Sequence, residues 1–196
     1  MKILCSACLL GETCKYNGGH NYSETLARYI EQVRSMAKSY DKGSIDSNVI
    51  SKTMARIATE GDTGVDTGID TSIDTITSSD LDSSIYTPVE IIPVCPEVLG
   101  GLPTPRTPAE IVNGEVLTRD GHSVDKAFRE GALKALEIAL AENIDVAILQ
   151  SRSPSCGVNE IYDGTFSGTR IAGSGIFASL LKEHGIEVID VEDLGI

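Results

Sequence analysis

The chain has 196 residues, 41% of them hydrophobic, with 29 acidic against 16 basic side chains and a net charge of -13. That length suits one domain with a substantial core, and the acidic balance disfavours duplex nucleic acid, whose phosphates it repels. The opening MKILCSACLL lacks the charged, apolar and cleavage-site regions of a signal peptide, and no apolar run reaches ~18 residues, so a cytoplasmic protein without a membrane partner is expected.

Lys2 to Ala7 is a short apolar run that reads as a buried strand ahead of Cys8. Gly11 to Asn21 reads as a loop. Tyr22 to Lys38 reads as a helix with Ser23 as its N-cap and Leu26, Ile30 and Val33 on one face. The composition then shifts. Asp41 to Tyr86 holds nine acids and three bases, a local charge of -6, and Gly61 to Asp80 repeats a unit close to Gly-Ile-Asp-Thr. Such a stretch buries too little apolar surface to offset its ordering entropy, so 41–86 is expected to be a flexible acidic insertion, with a short helix over Lys52 to Ala58. A β-solenoid turn or a Ca²⁺ loop is the alternative for the repeat.

Val89 to Val94 is a second strand, ending at Cys95. Pro103, Pro105 and Pro108 stiffen the loop that follows, and Asn113-Gly114 predicts a hairpin over Ile111 to Thr118. Val124 to Glu142 reads as a helix with Phe128, Ala132, Ala135, Leu136 and Ala139 as its apolar stripe. Asp145 to Gln150 is a third strand, continuously apolar as parallel strands are. A loop-rich stretch follows from Ser151 to Gly173. Ser174 to His184 reads as a helix stopped by Gly185, and Glu187 to Val191 as a last strand. The alternation predicts a single α/β domain, an open and mostly parallel sheet with helices on both faces.

Five cysteines, an odd number in a chain expected to be cytosolic, argue against a disulfide framework and for metal or thiol chemistry. Three hold equivalent places: Cys8, Cys95 and Cys156 each follow a strand. Ligand sites in open parallel sheets collect outside the strands' carboxyl ends, so three thiols brought there are positioned to share a centre. Three thiolates suit a soft metal or a cubane cluster, and on four irons they leave one without a protein ligand. The same placement also fits buried structural cysteines. The glycines and prolines beside each of the three fix tight loops whose N–H groups approach sulfur.

The segments SACLLG, KYNGGHNY, VCPEVLGGLPTPR, LQSRSPSCG and YDGTFSG, in that order, resemble those of the thiouracil desulfidase family, formerly grouped as a domain of unknown function. The resemblance spans Met1 to about Asn21 and Val89 to about Val191; the 41–86 stretch departs from it. It implies a [4Fe-4S] cluster on Cys8, Cys95 and Cys156 whose open iron takes the substrate sulfur, with Glu97 and Ser153 assisting catalysis. The implied reaction is the non-redox desulfurisation of a small thiolated pyrimidine-like compound, 2-thiouracil giving uracil and sulfide. In the mechanism this suggests, water activated by Glu97 attacks the C=S carbon while Ser153 exchanges a proton with the ring. The plainer roles are a salt-bridged carboxylate for Glu97 and a turn-starting hydroxyl for Ser153.

Further residues are candidates from local chemistry. Tyr162, Asp163, Thr165, Phe166 and Ser167 offer stacking and hydrogen bonds to a flat base, or form a packed turn. Cys5 reads as strand core and Cys14 as a bystander or spare thiol near Cys8. Arg106 and Arg152 are possible carboxylate or anion partners. Gly173-Ser174-Gly175 precedes a helix, as an anion site or a plain cap. The three histidines show no ligand spacing. Two other functions fit a thiol-bearing α/β chain: a non-catalytic cluster-bearing sensor or binder of thiolated metabolites, and a zinc or cysteine-nucleophile hydrolase. The oligomeric state is left open.

Overall fold

The computed structural model describes residues 1–39 and 88–195. The acidic insertion and its short helix, expected within 41–86, lie outside the described residues. The described chain runs β1 (Lys2–Ser6), a 3-10 turn (Ala7–Leu10), α1 (Glu24–Ser39), β2 (Glu90–Val94), α2 (Pro96–Leu99), β3 (Ala109–Val112) and β4 (Glu115–Thr118). It continues through α3 (Asp125–Glu142), β5 (Val146–Leu149), β6 (Glu160–Tyr162), β7 (Arg170–Ala172), α4 (Ile176–Glu183), β8 (Glu187–Asp190) and a second 3-10 turn (Val191–Asp193).

Four strands form one sheet in the order β2-β1-β5-β8, every pair parallel. Ile3 lies opposite both Ile91 and Val146, so β1 is central. Side chains alternate across a strand, and here each face has its own partner. Ile3, Cys5, Val146 and Ile148 pack against Leu26, Tyr29, Ile30 and Val33 of α1. Leu4, Ala147 and Leu149 point the other way, onto Ala132, Ala135, Leu136 and Ala139 of α3 and Phe177, Ala178 and Leu181 of α4. Burial on both faces is why β5 is apolar at every position. The expected α/β sheet with helices on both faces is the fold. No helix among the described residues is long and apolar enough to cross a membrane.

Local signals place the ends. The Leu26 N–H donates to the Ser23 hydroxyl at 3.1 Å, so Ser23 caps α1. Gly185 has φ +74°, and with Ile186 it returns N–H groups to Lys182 and Leu181, closing α4 with a Schellman motif. Asn113 and Gly114, at φ +49° and +86°, make the tight β3–β4 turn. Two elements escaped the sequence reading. The stretch after Cys95 forms α2, with Pro96 at its first turn, where a missing N–H costs nothing. The loop after Cys156 contains the two-stranded antiparallel β6–β7 sheet.

Candidate active site

The chain leaves β1, crosses to β2 on one side, then passes back over β1 to reach β5 on the other. That reversal opens a crevice at the strands' carboxyl ends. It holds a cavity of about 430 Å³ whose wall includes Cys8, Cys14, Cys95 and Cys156. Cys95, Cys8 and Cys156 follow β2, β1 and β5, three adjacent strands, so their meeting is a product of strand order rather than of sequence spacing.

The thiols sense one another. The Cys8 and Cys95 thiols act on Cys14 in opposite directions, Cys8 raising it and Cys95 lowering it. The Cys8 thiol is the main cause that pushes Cys14 up to about 11. Cys95 is raised first by Cys14 and then by burial, and its Sγ donates to the Cys14 carbonyl at 3.9 Å. Burial raises Cys156, partly offset by the Ser6 hydroxyl, with Glu97, Cys95 and Cys14 adding to the rise. Cys5 is different. It is fully buried in β1 on the α1 side of the sheet, and desolvation pushes it up to about 12.

Glu97 and Ser153 come together across 56 residues of chain. Arg106 donates to Glu97 Oε2 from Nε at 2.8 Å and also from Nη2. The other carboxylate oxygen, Oε1, faces the Ser153 hydroxyl at 3.4 Å. Their side chains are 15% and 8% exposed for Glu97 and Arg106, so the pair is largely screened from bulk water. Arg106 is pinned in turn. Its Nη2 donates to the Cys14 carbonyl, its Nη1 to Pro103 O and Thr104 Oγ1, and its N–H to Tyr16 O. One guanidinium thus ties the cysteine loop, α2 and the proline loop together.

Close backbone packing fixes both partners. A Cβ on Gly131 of α3 would stand 1.9 Å from the Pro96 carbonyl, so only glycine lets α2 lie this near and hold Glu97 where it is. On the other side, a Cβ on Gly175 would stand 2.5 Å from Ser155 O. The contact allows α4's first N–H groups to reach the loop: Ile176 donates to Pro154 O, and Phe177 and Ala178 to Ser155 O. The helix start at 173–175 is therefore occupied by the chain's own carbonyls, which removes the anion-site alternative; the N-cap position is Gly175, with no side-chain cap, and the Ser174 hydroxyl donates to Val158 O. Within that loop the Ser153 hydroxyl accepts from the Ser155 and Cys156 N–H groups, so it caps the turn that carries Cys156.

Of the aromatic and hydroxyl candidates, Tyr162 and Phe166 are on the cavity wall. Asp163 and Thr165 lie off it and pair with each other, Thr165 N–H and hydroxyl both donating to Asp163 Oδ1; Ser167 bonds Thr165 and Thr169. Arg152 borders the cavity but its guanidinium is turned to Glu192. The sequence reading missed Glu110, a buried carboxylate on the wall that accepts the Phe166 N–H at 3.0 Å. It sits in a hairpin strand opposite Leu117, but the loop residue it holds is 56 positions away, so no local signal marks it.

Among the described residues, no three His, Cys, Asp or Glu side chains stand close enough to share one metal ion. A four-iron cube is a larger body and takes its thiolates from further apart. Four thiols stand on the cavity wall, three of them following adjacent strands, beside the carboxylates Glu97 and Glu110; the thiols are the soft ligands such a cube takes.

The model of a family described as 2-thiouracil desulfurase matches residues 71–193. Over 98% of its length the chain is 31% identical to the uncharacterized protein YbbK of Bacillus subtilis (strain 168), covering 97% of that protein. Among solved structures it resembles TudS, a [4Fe-4S]-dependent thiouracil desulfidase, with a TM-score of 0.62 and 31% identity, over 98% of this chain and 92% of that one.

Proposed function

Because the chain belongs to the 2-thiouracil desulfurase family, we propose that it is a [4Fe-4S]-dependent desulfidase that replaces the thione sulfur of a thiolated pyrimidine with oxygen from water. The observation that carries this reading is the cavity itself, where Cys8, Cys95 and Cys156 share a wall with the Glu97–Ser153 pair. Cys8, Cys95 and Cys156 would hold the cluster. When bound, it supplies a Lewis-acidic iron without a protein ligand that accepts the substrate's sulfur and polarises the C=S carbon.

The chain's own residues do the rest. Arg106 engages Glu97 Oε2, which leaves Oε1 to take a proton from a water aimed at the C=S carbon. Ser153 already accepts two N–H groups, so its remaining role is as donor. Pointing at Oε1, its O–H relays a proton between Glu97 and the ring as the C–S bond breaks. Water contributes its oxygen to the new C=O bond, its two protons and the sulfur depart as hydrogen sulfide, and no electrons are gained or lost. Phe166 and Tyr162 supply apolar faces for a planar ring and help keep bulk water out.

The test is anaerobic reconstitution with iron and sulfide, followed by incubation with 2-thiouracil. Uracil and sulfide are expected in equal amounts over many turnovers. A protein that binds a four-iron cluster yet releases neither product is a sensor or binder instead, and one that carries zinc and no acid-labile sulfide is neither.

A further inference from the structure

Glu110 is 8% exposed, sits in β3 and forms part of the cavity wall. Its Oε2 accepts the N–H of Phe166, a non-glycine residue at φ +56°, and so holds that aromatic loop against the hairpin. Among the described residues no other group donates to this carboxylate. A carboxylate accepts at about four lone-pair positions, and burying one with a single neutral donor is costly. Glu97, by contrast, is served by Arg106 twice and by Ser153. Glu110 therefore keeps accepting capacity in the cavity and can offer a ligand nothing else. Its complement is a donor, and Phe166 and Tyr162 beside it favour a flat one.

We infer that Glu110 accepts the ring N–H next to the substrate's C=S carbon and so discriminates among thiolated rings by the donor they present there. This rests on the desulfidase reading and specifies what that site admits. A ring alkylated at that nitrogen presents no donor there, and a ring deprotonated to the thiolate meets like charge; both leave the buried carboxylate unmet. The contact belongs to substrate and transition state alike, so it is felt in KM more than in kcat.

The test compares wild type with Glu110→Gln on 2-thiouracil, 1-methyl-2-thiouracil and 3-methyl-2-thiouracil. The glutamine keeps a carbonyl for the Phe166 N–H, so a merely loop-holding role predicts no change. The N–H contact predicts KM for 2-thiouracil raised about 10- to 100-fold, with kcat and iron content held. It also predicts that one N-methyl analogue suffers a similar penalty in wild type which the variant does not deepen. Equal KM in the two proteins overturns the inference while leaving the desulfidase reading intact. Calorimetric binding of uracil, which keeps the N–H and has no sulfur, reads the contact without turnover. Weaker binding by Glu110→Gln supports it even if no sulfide is ever released, and equal binding sinks it.

Discussion

Two nitrogens of Arg106 converge on a single oxygen of Glu97, and the second oxygen is left facing Ser153. The asymmetry leaves one oxygen anchored and the other open to Ser153, the oxygen proposed above as the base. Glu97→Gln keeps an acceptor for Arg106 and would remove that base. Turnover should fall by at least ~10²-fold, the scale of general-base catalysis, with iron, acid-labile sulfide and KM unchanged. A variant with full kcat and an intact cluster removes the base assignment.

Arg106→Lys tests positioning separately. One ammonium cannot make two bonds to Glu97 and also satisfy Cys14 O, Pro103 O and Thr104 Oγ1. Steady-state kinetics should show kcat lower by about tenfold, the effect of a loosened catalytic group, and KM nearly constant. A change confined to thermal stability would make Arg106 structural only.

Gly131→Ala drives a methyl group into the Pro96 carbonyl, which is backbone and cannot swing away. Overpacking of this kind costs about 1–3 kcal/mol, to be read from denaturant midpoints. Because α2 carries Glu97 and follows Cys95, kcat and cluster content should both drop. Loss of stability with normal activity would mean α2 moves as a unit without disturbing the site.

Alanine at Cys8, Cys95 or Cys156 should each abolish retention of a four-iron cluster, measured as iron and sulfide per chain after anaerobic desalting. Cys5→Val should retain it, because Cys5 packs on the α1 side of the sheet, away from the cavity wall. Full retention by any one of the three alanine variants would remove that cysteine from the ligand set.

Cys5 also gives a pH prediction. Desolvation raises it from 9.0 to about 12, and Tyr29 beside it rises from 10.0 to about 12, also chiefly by desolvation. Both are more easily ionised when unfolded, so their contribution is complete below about pH 9 and is lost as pH climbs toward 12. The Cys5 share is on the order of 4 kcal/mol, three pKa units at 1.36 kcal/mol each. Denaturant midpoints of wild type should fall more steeply between pH 9 and 11.5 than those of Cys5→Val. Parallel curves would contradict a buried titrating thiol.

The chain order of strands and helices, the Ser23 and Gly185 caps, the Asn113-Gly114 turn and the stripe on α3 were legible in the sequence. Each is a local rule, satisfied by residues a few positions apart. That Cys8, Cys95 and Cys156 sit after strands was legible too. What put them on one wall is the order β2-β1-β5, which only pairing between distant segments decides. Arg106 was legible as a possible carboxylate partner, though not that it holds Glu97 and the Cys14 carbonyl, 9 and 92 positions away; Glu110 was invisible as a site residue, its partner Phe166 lying 56 positions away. Periodicity reports which face of an element is buried. It carries no information about which buried polar group is left with an unfilled acceptor, because that depends on everything packed around it in three dimensions.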